Sequence, residues 1–97
     1  MRKKTSDLTA YQQALGLLVR REHSRRELKR KLKDRGKESE EIETALEKLS
    51  RQDFQNDARF AAALARSRAS SGYGPSRIRA ELATHALTSV DAAGDIA

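Results

Sequence analysis

The sequence predicts an all-α protein built from tandem three-helix repeats, and three observations support that expectation. Apolar residues recur at helical spacing along most of the chain, helix-capping residues fall in the gaps between them, and apolar positions of the first half return about 50 positions later. No strand pattern appears, and Pro75 is the single proline.

The elements follow in order. Residues 1–8, MRKKTSDL, read as a flexible basic tail. In a first unit, residues 9–52, Tyr11, Ala14, Leu15 and Leu18 take i, i+3, i+4, i+7 spacing and line one face of a helix. Ser24 and Glu27 have the spacing of a capping box, in which the serine oxygen accepts from a new backbone N–H and the glutamate reaches back, so a second helix starts there. Leu28 and Leu32 are its apolar residues, and Gly36 closes it by taking a left-handed conformation. Ser39 is the expected N-cap of a third helix, with Glu40 and Glu41 at the positive end of its dipole and Ile42, Ala45, Leu46 and Leu49 on its apolar face.

The second unit, residues 53–97, replays the scheme. A fourth helix begins near Asn56 or Asp57 and holds Phe60, Ala63 and Leu64, which map onto Tyr11, Ala14 and Leu15 at an offset of 49. Gly72-Tyr-Gly-Pro75 breaks the chain, with glycine ending one helix and proline at the first position of the next. Ile78 and Leu82 stand 50 positions after Leu28 and Leu32. A last helix is expected from Thr88 or Ser89 through Ala92, Ala93 and Ile96, shorter than its first-unit counterpart.

Composition narrows the function classes. With no cysteine there is no disulfide framework or thiolate metal site, and His23 and His85 lack ligand-spaced partners, so no metal or other cofactor is expected. No catalytic set of Ser/His/Asp, paired carboxylates or glycine-rich nucleotide loop is present, so the chain is expected not to be an enzyme. No apolar run is long enough to span a membrane and no signal region follows Met1, which makes a cytoplasmic location the default expectation. Charge is uneven: residues 1–37 hold 13 Lys/Arg against 4 Asp/Glu, residues 38–57 hold 2 against 7, and residues 58–97 hold 5 against 3. The basic first third favours a polyanion or an acidic protein groove, either association being weakened by salt.

These residues resemble the RecX family of bacterial RecA regulators. The similarity covers roughly residues 10–87. In the first unit it rests on Ala14-Leu15, Leu17-Leu18, Arg21-Glu22, Ser24-Arg-Arg-Glu27-Leu28, Lys31-Leu32 and Gly36. In the second it rests on Asn56-Asp57, Phe60-Ala61, Arg68, Gly72-Tyr73-Gly74-Pro75, Arg77-Ile78 and Glu81-Leu82. The resemblance implies an elongated, curved helical array that lies in the groove of the RecA recombinase filament on single-stranded DNA. It also implies inhibition of ATPase, strand-exchange and co-protease activities in DNA repair and the SOS response. The family has three such units, whereas this chain holds about one and two thirds.

The expected partner-binding residues are Arg25, Arg26, Lys29, Arg30 and Lys33 of the first unit and Arg66, Arg68, Arg77 and Arg79 of the second. Arg26, Lys29, Arg30 and Lys33 form one stripe, read as four cations without an internal acid; a solvated face is the competing reading. The basic helix carries no aromatic residue for base stacking, so weak, salt-sensitive, non-specific single-stranded DNA binding is the alternative function. A helix-turn-helix reader is excluded by the acids of the third helix. Gly72–Arg77 reads as a cap-to-cap joint in preference to a phosphate-binding turn. The short second unit also suggests self-association through an apolar end.

Overall fold

The structure, a computed structural model, describes residues 8–87. Those residues form five α-helices and no strand: α1 (Ala10–Arg20), α2 (Arg25–Asp34), α3 (Ser39–Arg51), α4 (Asp57–Ser70) and α5 (Pro75–Ala83). They divide into two compact units that part between Gln55 and Asn56. The last helix expected from Thr88 or Ser89 lies outside the described residues.

In the first unit α3 packs on both α1 and α2. Its face of Ile42, Ala45, Leu46 and Leu49 is buried as the spacing predicts, and it closes over Leu28 and Leu32 of α2. Removing one such leucine from water stabilises the fold by about 1.5–3 kcal/mol. On α1 the buried face is rotated from the expected one. Ala10, Gln13, Ala14 and Leu17 are buried, while Tyr11, Leu15 and Leu18 pack at the edge of the core. Tyr11 keeps its hydroxyl at the rim, where it donates to Gln52 Oε1 at 2.8 Å with the Lys48 ammonium 4.6 Å from the ring centre. A phenol with a polar tip favours that half-wet position over the core.

The helix starts show where local chemistry decides. Thr9 caps α1 in a full capping box with Gln12, and the Glu41 carboxylate accepts from the Ala10 N–H at 2.8 Å. Ser24 caps α2 by accepting from Glu27 N at 3.0 Å. The N-cap of α3 is Glu38, with Ser39 already in the first turn and no side-chain cap, so the expected Ser39 cap is displaced by one residue. Asn56 caps α4 by accepting from Arg59 N at 2.8 Å, and Pro75 opens α5.

From α2 onward every helix closes in the same way. A backbone N–H just past the helix reaches back five positions: Lys37 to Leu32, Phe54 to Leu49, Tyr73 to Arg68 and Leu87 to Leu82. That bond needs a left-handed residue just before it. Gly36 (φ 83°) and Gly72 (φ 93°) supply it as expected, but Asp53 (φ 63°) and Ala86 (φ 62°) supply it too.

In the second unit α4 packs on α5, and Phe60, Ala61, Leu82 and Leu87 form the core with Leu64 and Ile78 against it. Phe60 also meets the His85 ring at 4.6 Å between centres. The N-caps Thr9 and Asn56 are 47 residues apart. At that offset buried Ala14 matches buried Ala61, so the repeat register is 47 for the first helix of each unit, not 49.

Candidate partner-binding surface

The cations of α2 are sorted by their angle from its two leucines. At about 100° per residue, Arg26, Arg30 and Lys33 lie roughly 120–180° from the midpoint of Leu28 and Leu32. They point away from the core. Arg25 and Lys29 lie roughly 40–80° from the same midpoint, on the flank that faces α3.

That difference decides their partners. Lys29 Nζ meets Glu43 Oε2 at 3.0 Å, and Arg25 Nη2 meets Glu43 Oε1 at 3.1 Å and Glu47 Oε1 at 3.8 Å. The hydrogen bonds from Lys29 and Arg25 hold the Glu43 carboxyl below the usual carboxylate range. The stripe therefore does not present four unneutralised cations. Lys29 is turned onto α3, and Arg26, Arg30 and Lys33 remain exposed with no ion pair or side-chain hydrogen bond among the described residues. Asp34, four positions after Arg30, makes no ion pair with it. The three span about 10 Å along the helix at 1.5 Å per residue.

A second charge cluster lies at the corner between α1 and α2. Arg21 grips the Glu27 carboxylate with Nη2 at 2.6 Å and Nη1 at 3.4 Å, and Lys31 reaches the same group at 3.6 Å. Burial pushes the Glu27 carboxyl up, but the Arg21 hydrogen bond and neighbouring cations outweigh it and hold it low. Beside it His23 is buried, with Nδ1 3.0 Å from the Arg21 carbonyl and Nε2 3.3 Å from Lys31 Nζ. A lysine ammonium only donates, so Nε2 accepts and Nδ1 carries the proton toward the carbonyl. Burial holds the imidazole below its ordinary pKa, the carbonyl contact opposing this and the Arg21 and Lys31 charges adding to it. The sequence marked His23 only as an unlikely metal ligand; its structural place at the corner is set by contacts eight residues along the chain and by Gln55, whose amide donates to the His23 carbonyl at 3.3 Å.

The four second-unit arginines fare differently. Arg68 forms a two-pronged pair with Glu81, Nε and Nη2 each at 2.7 Å, which ties α4 to α5 and holds Glu81 low. Its donors are engaged within its own unit. Arg77 lies over the Tyr73 ring at 4.5 Å, and Arg79 Nη2 approaches Ser76 Oγ at 3.5 Å. Arg66 is exposed and makes no side-chain contact of this kind among the described residues.

Comparison with known proteins places the chain in a family. Residues 10–49 match the model of the RecX first three-helix domain and residues 56–92 that of the RecX second three-helix domain. The chain belongs to the RecX family. It is 56% identical over 87 residues to the regulatory protein RecX of Xanthomonas campestris pv. campestris strain B100, a match covering 90% of this chain and 54% of that protein. The RecX of Xanthomonas oryzae pv. oryzae strain MAFF 311018 is 56% identical over 87 residues, with the same coverage. That of Stenotrophomonas maltophilia strain R551-3 is 54% identical over 88 residues, covering 91% of this chain and 54% of its own length. The chain thus spans about half the length of these RecX proteins. The matched span contains α2 with all five of its proposed contact residues. No helix among the described residues is long and apolar enough to cross a membrane.

Proposed function

We propose that this chain is a non-enzymatic regulator that binds the RecA recombinase filament and lowers its ATPase, strand-exchange and co-protease activities. Its membership of a family whose relatives are named regulatory protein RecX supports the reading. The structural observation behind it is the unpaired set Arg26, Arg30 and Lys33, held on a helix whose other side is anchored by Leu28 and Leu32. Three cations that form no ion pair with a described acid leave their charge for an anionic partner. Arg66, Arg77 and Arg79 add exposed donors on the second unit. Several modest contacts on one polymeric target reinforce one another, since each after the first is intramolecular.

The test is a titration of the chain into RecA already assembled on single-stranded DNA, with ATP turnover and bound chain read together. Turnover is expected to fall in proportion to occupancy. Full occupancy without loss of turnover, or no occupancy at micromolar concentration, refutes the reading.

The same three cations also suit a phosphate backbone, which supports a second reading as a non-specific nucleic-acid-binding module. Under that reading bare single-stranded DNA binds at least as tightly as the filament. Log affinity then falls against log salt with a slope of about −0.7 per phosphate contact.

A further inference from the structure

The corner between α1 and α2 encloses a cavity of about 230 Å³ lined by Leu17, Arg20, Arg21, His23 and Lys31. From these residues we infer that the first unit carries a binding site for a phosphate group. The inference stands apart from the recombinase reading, since the residues on which that reading rests point away from the core of α2.

Three cations border the cavity, and two of them, Arg21 and Lys31, share the Glu27 carboxylate. Glu27 accounts for Arg21 and for one contact of Lys31. Arg20 is exposed and has no ion pair or side-chain hydrogen bond among the described residues. The excess of two positive charges fits a dianion of phosphate size. The negative end of the α1 dipole explains why Arg20 and Arg21 sit there. It does not explain Lys31, which comes from the next helix and lines the same cavity. An ammonium has three donors; one contacts His23 Nε2 at 3.3 Å and Glu27 lies 3.6 Å away as an ion pair, so donor capacity is left for a ligand.

His23 completes the site. It is only 2% exposed, and its Nε2 lies at the Lys31 end of the lining. The charged groups facing the ring are Arg21 from the end of α1 and Glu27 and Lys31 from α2. With the cavity empty the two cations oppose protonation. A dianion between Arg20 and Lys31 draws Lys31 off Nε2 and offsets that repulsion, so the imidazole takes up a proton and becomes a further donor.

Inorganic phosphate titrated into the full chain, against chloride at equal ionic strength, tests this by following the carbon-bound ring protons of His23 in NMR spectra. Phosphate is expected to move them saturably and to shift their titration to higher pH, beyond any change that chloride produces. Arg20→Gln should weaken the phosphate effect about tenfold or more, the loss of one charge-assisted hydrogen bond. Arg51→Gln, which removes the same charge elsewhere, should leave it unchanged. An unphosphorylated thymidine oligonucleotide forms a second arm. Saturation by both ligands assigns the site to backbone diesters, and saturation by phosphate alone to free phosphate or a terminal monoester. A response no larger than that to chloride, or equal weakening by both substitutions, overturns the site.

Discussion

Replacing Arg26, Arg30 and Lys33 by glutamine and, in a separate protein, Arg25 and Lys29 by glutamine should separate binding from stability. The first set makes no intramolecular ion pair among the described residues, so its removal leaves nothing unsatisfied. Neighbours four positions apart on a helix are about 6 Å from one another. At that distance two like charges in water repel by about 0.7 kcal/mol before screening. The triple variant should therefore keep the parent stability or gain less than about 1 kcal/mol. The second set loses contacts of 3.1 Å and 3.0 Å to Glu43, between side chains that are 33%, 49% and 48% exposed for Arg25, Lys29 and Glu43. Ion pairs this exposed contribute roughly 0.2–1 kcal/mol each, so the double variant should lose about 0.5–2 kcal/mol. Urea unfolding followed by helical circular dichroism measures both. Inhibition of DNA-dependent ATP hydrolysis by RecA should fall at least tenfold for the triple variant and at most about threefold for the double one. The reasoning is refuted if the double variant loses inhibition while the triple keeps it, or if the triple is the less stable of the two.

Further outcomes follow from the core, the corner and the helix ends. Leu28→Ala removes a fully buried side chain of the first unit, and such losses cost about 2.7–5 kcal/mol; a shift of under 1 kcal/mol in the urea midpoint energy would mean that α2 does not pack as described. Burial lowers the His23 pKa in the folded chain from its ordinary value of 6.5. Its contribution to stability is then present above pH 6.5 and lost as pH falls through the lower folded value. Thermal melts from pH 7 to pH 4 should show an acid loss attributable to His23 that is smaller in His23→Gln. Ala86 holds φ 62°, where an L-residue is strained by roughly 1–2 kcal/mol. Ala86→Gly should therefore raise stability by up to about 1 kcal/mol once the greater freedom of unfolded glycine is counted. Gly36→Ala should lower it by about as much, both read by the same unfolding assay.

How far the sequence reaches is visible at single residues. Ser24, Asn56 and Pro75 mark helix starts, and Gly36 and Gly72 mark helix ends, because a cap depends on atoms within a few residues of it. The α3 face was likewise readable, since Ile42, Ala45, Leu46 and Leu49 are apolar at one period and meet apolar neighbours. On α1 the same spacing was ambiguous. Leucines at 15, 17 and 18 permit two overlapping stripes, and only the packed partner selects the one with Ala14 and Leu17 inward. The helix ends at Asp53 and Ala86 carried no glycine to announce them; the bonds from Phe54 to Leu49 and from Leu87 to Leu82 close these ends around residues with a Cβ in the left-handed conformation.

The candidate surface divides in the same way. Its basic character and its place on α2 are written in the order of the residues, but the stripe read there joined Lys29 to Arg26, Arg30 and Lys33, and Glu43 of α3 draws Lys29 out of it. Their fates were decided by Glu43 of α3 and by Glu81 opposite Arg68, acids 18 and 13 positions away from the arginines they hold. Hydrogen bonding within a helix couples residues about four apart, so periodicity and capping are properties of the chain alone. Ion pairing and burial require a neighbour that only folding supplies, and that is why the order of residues determined the helices of this RecX-family chain while the tertiary structure decided which of its charges stay free.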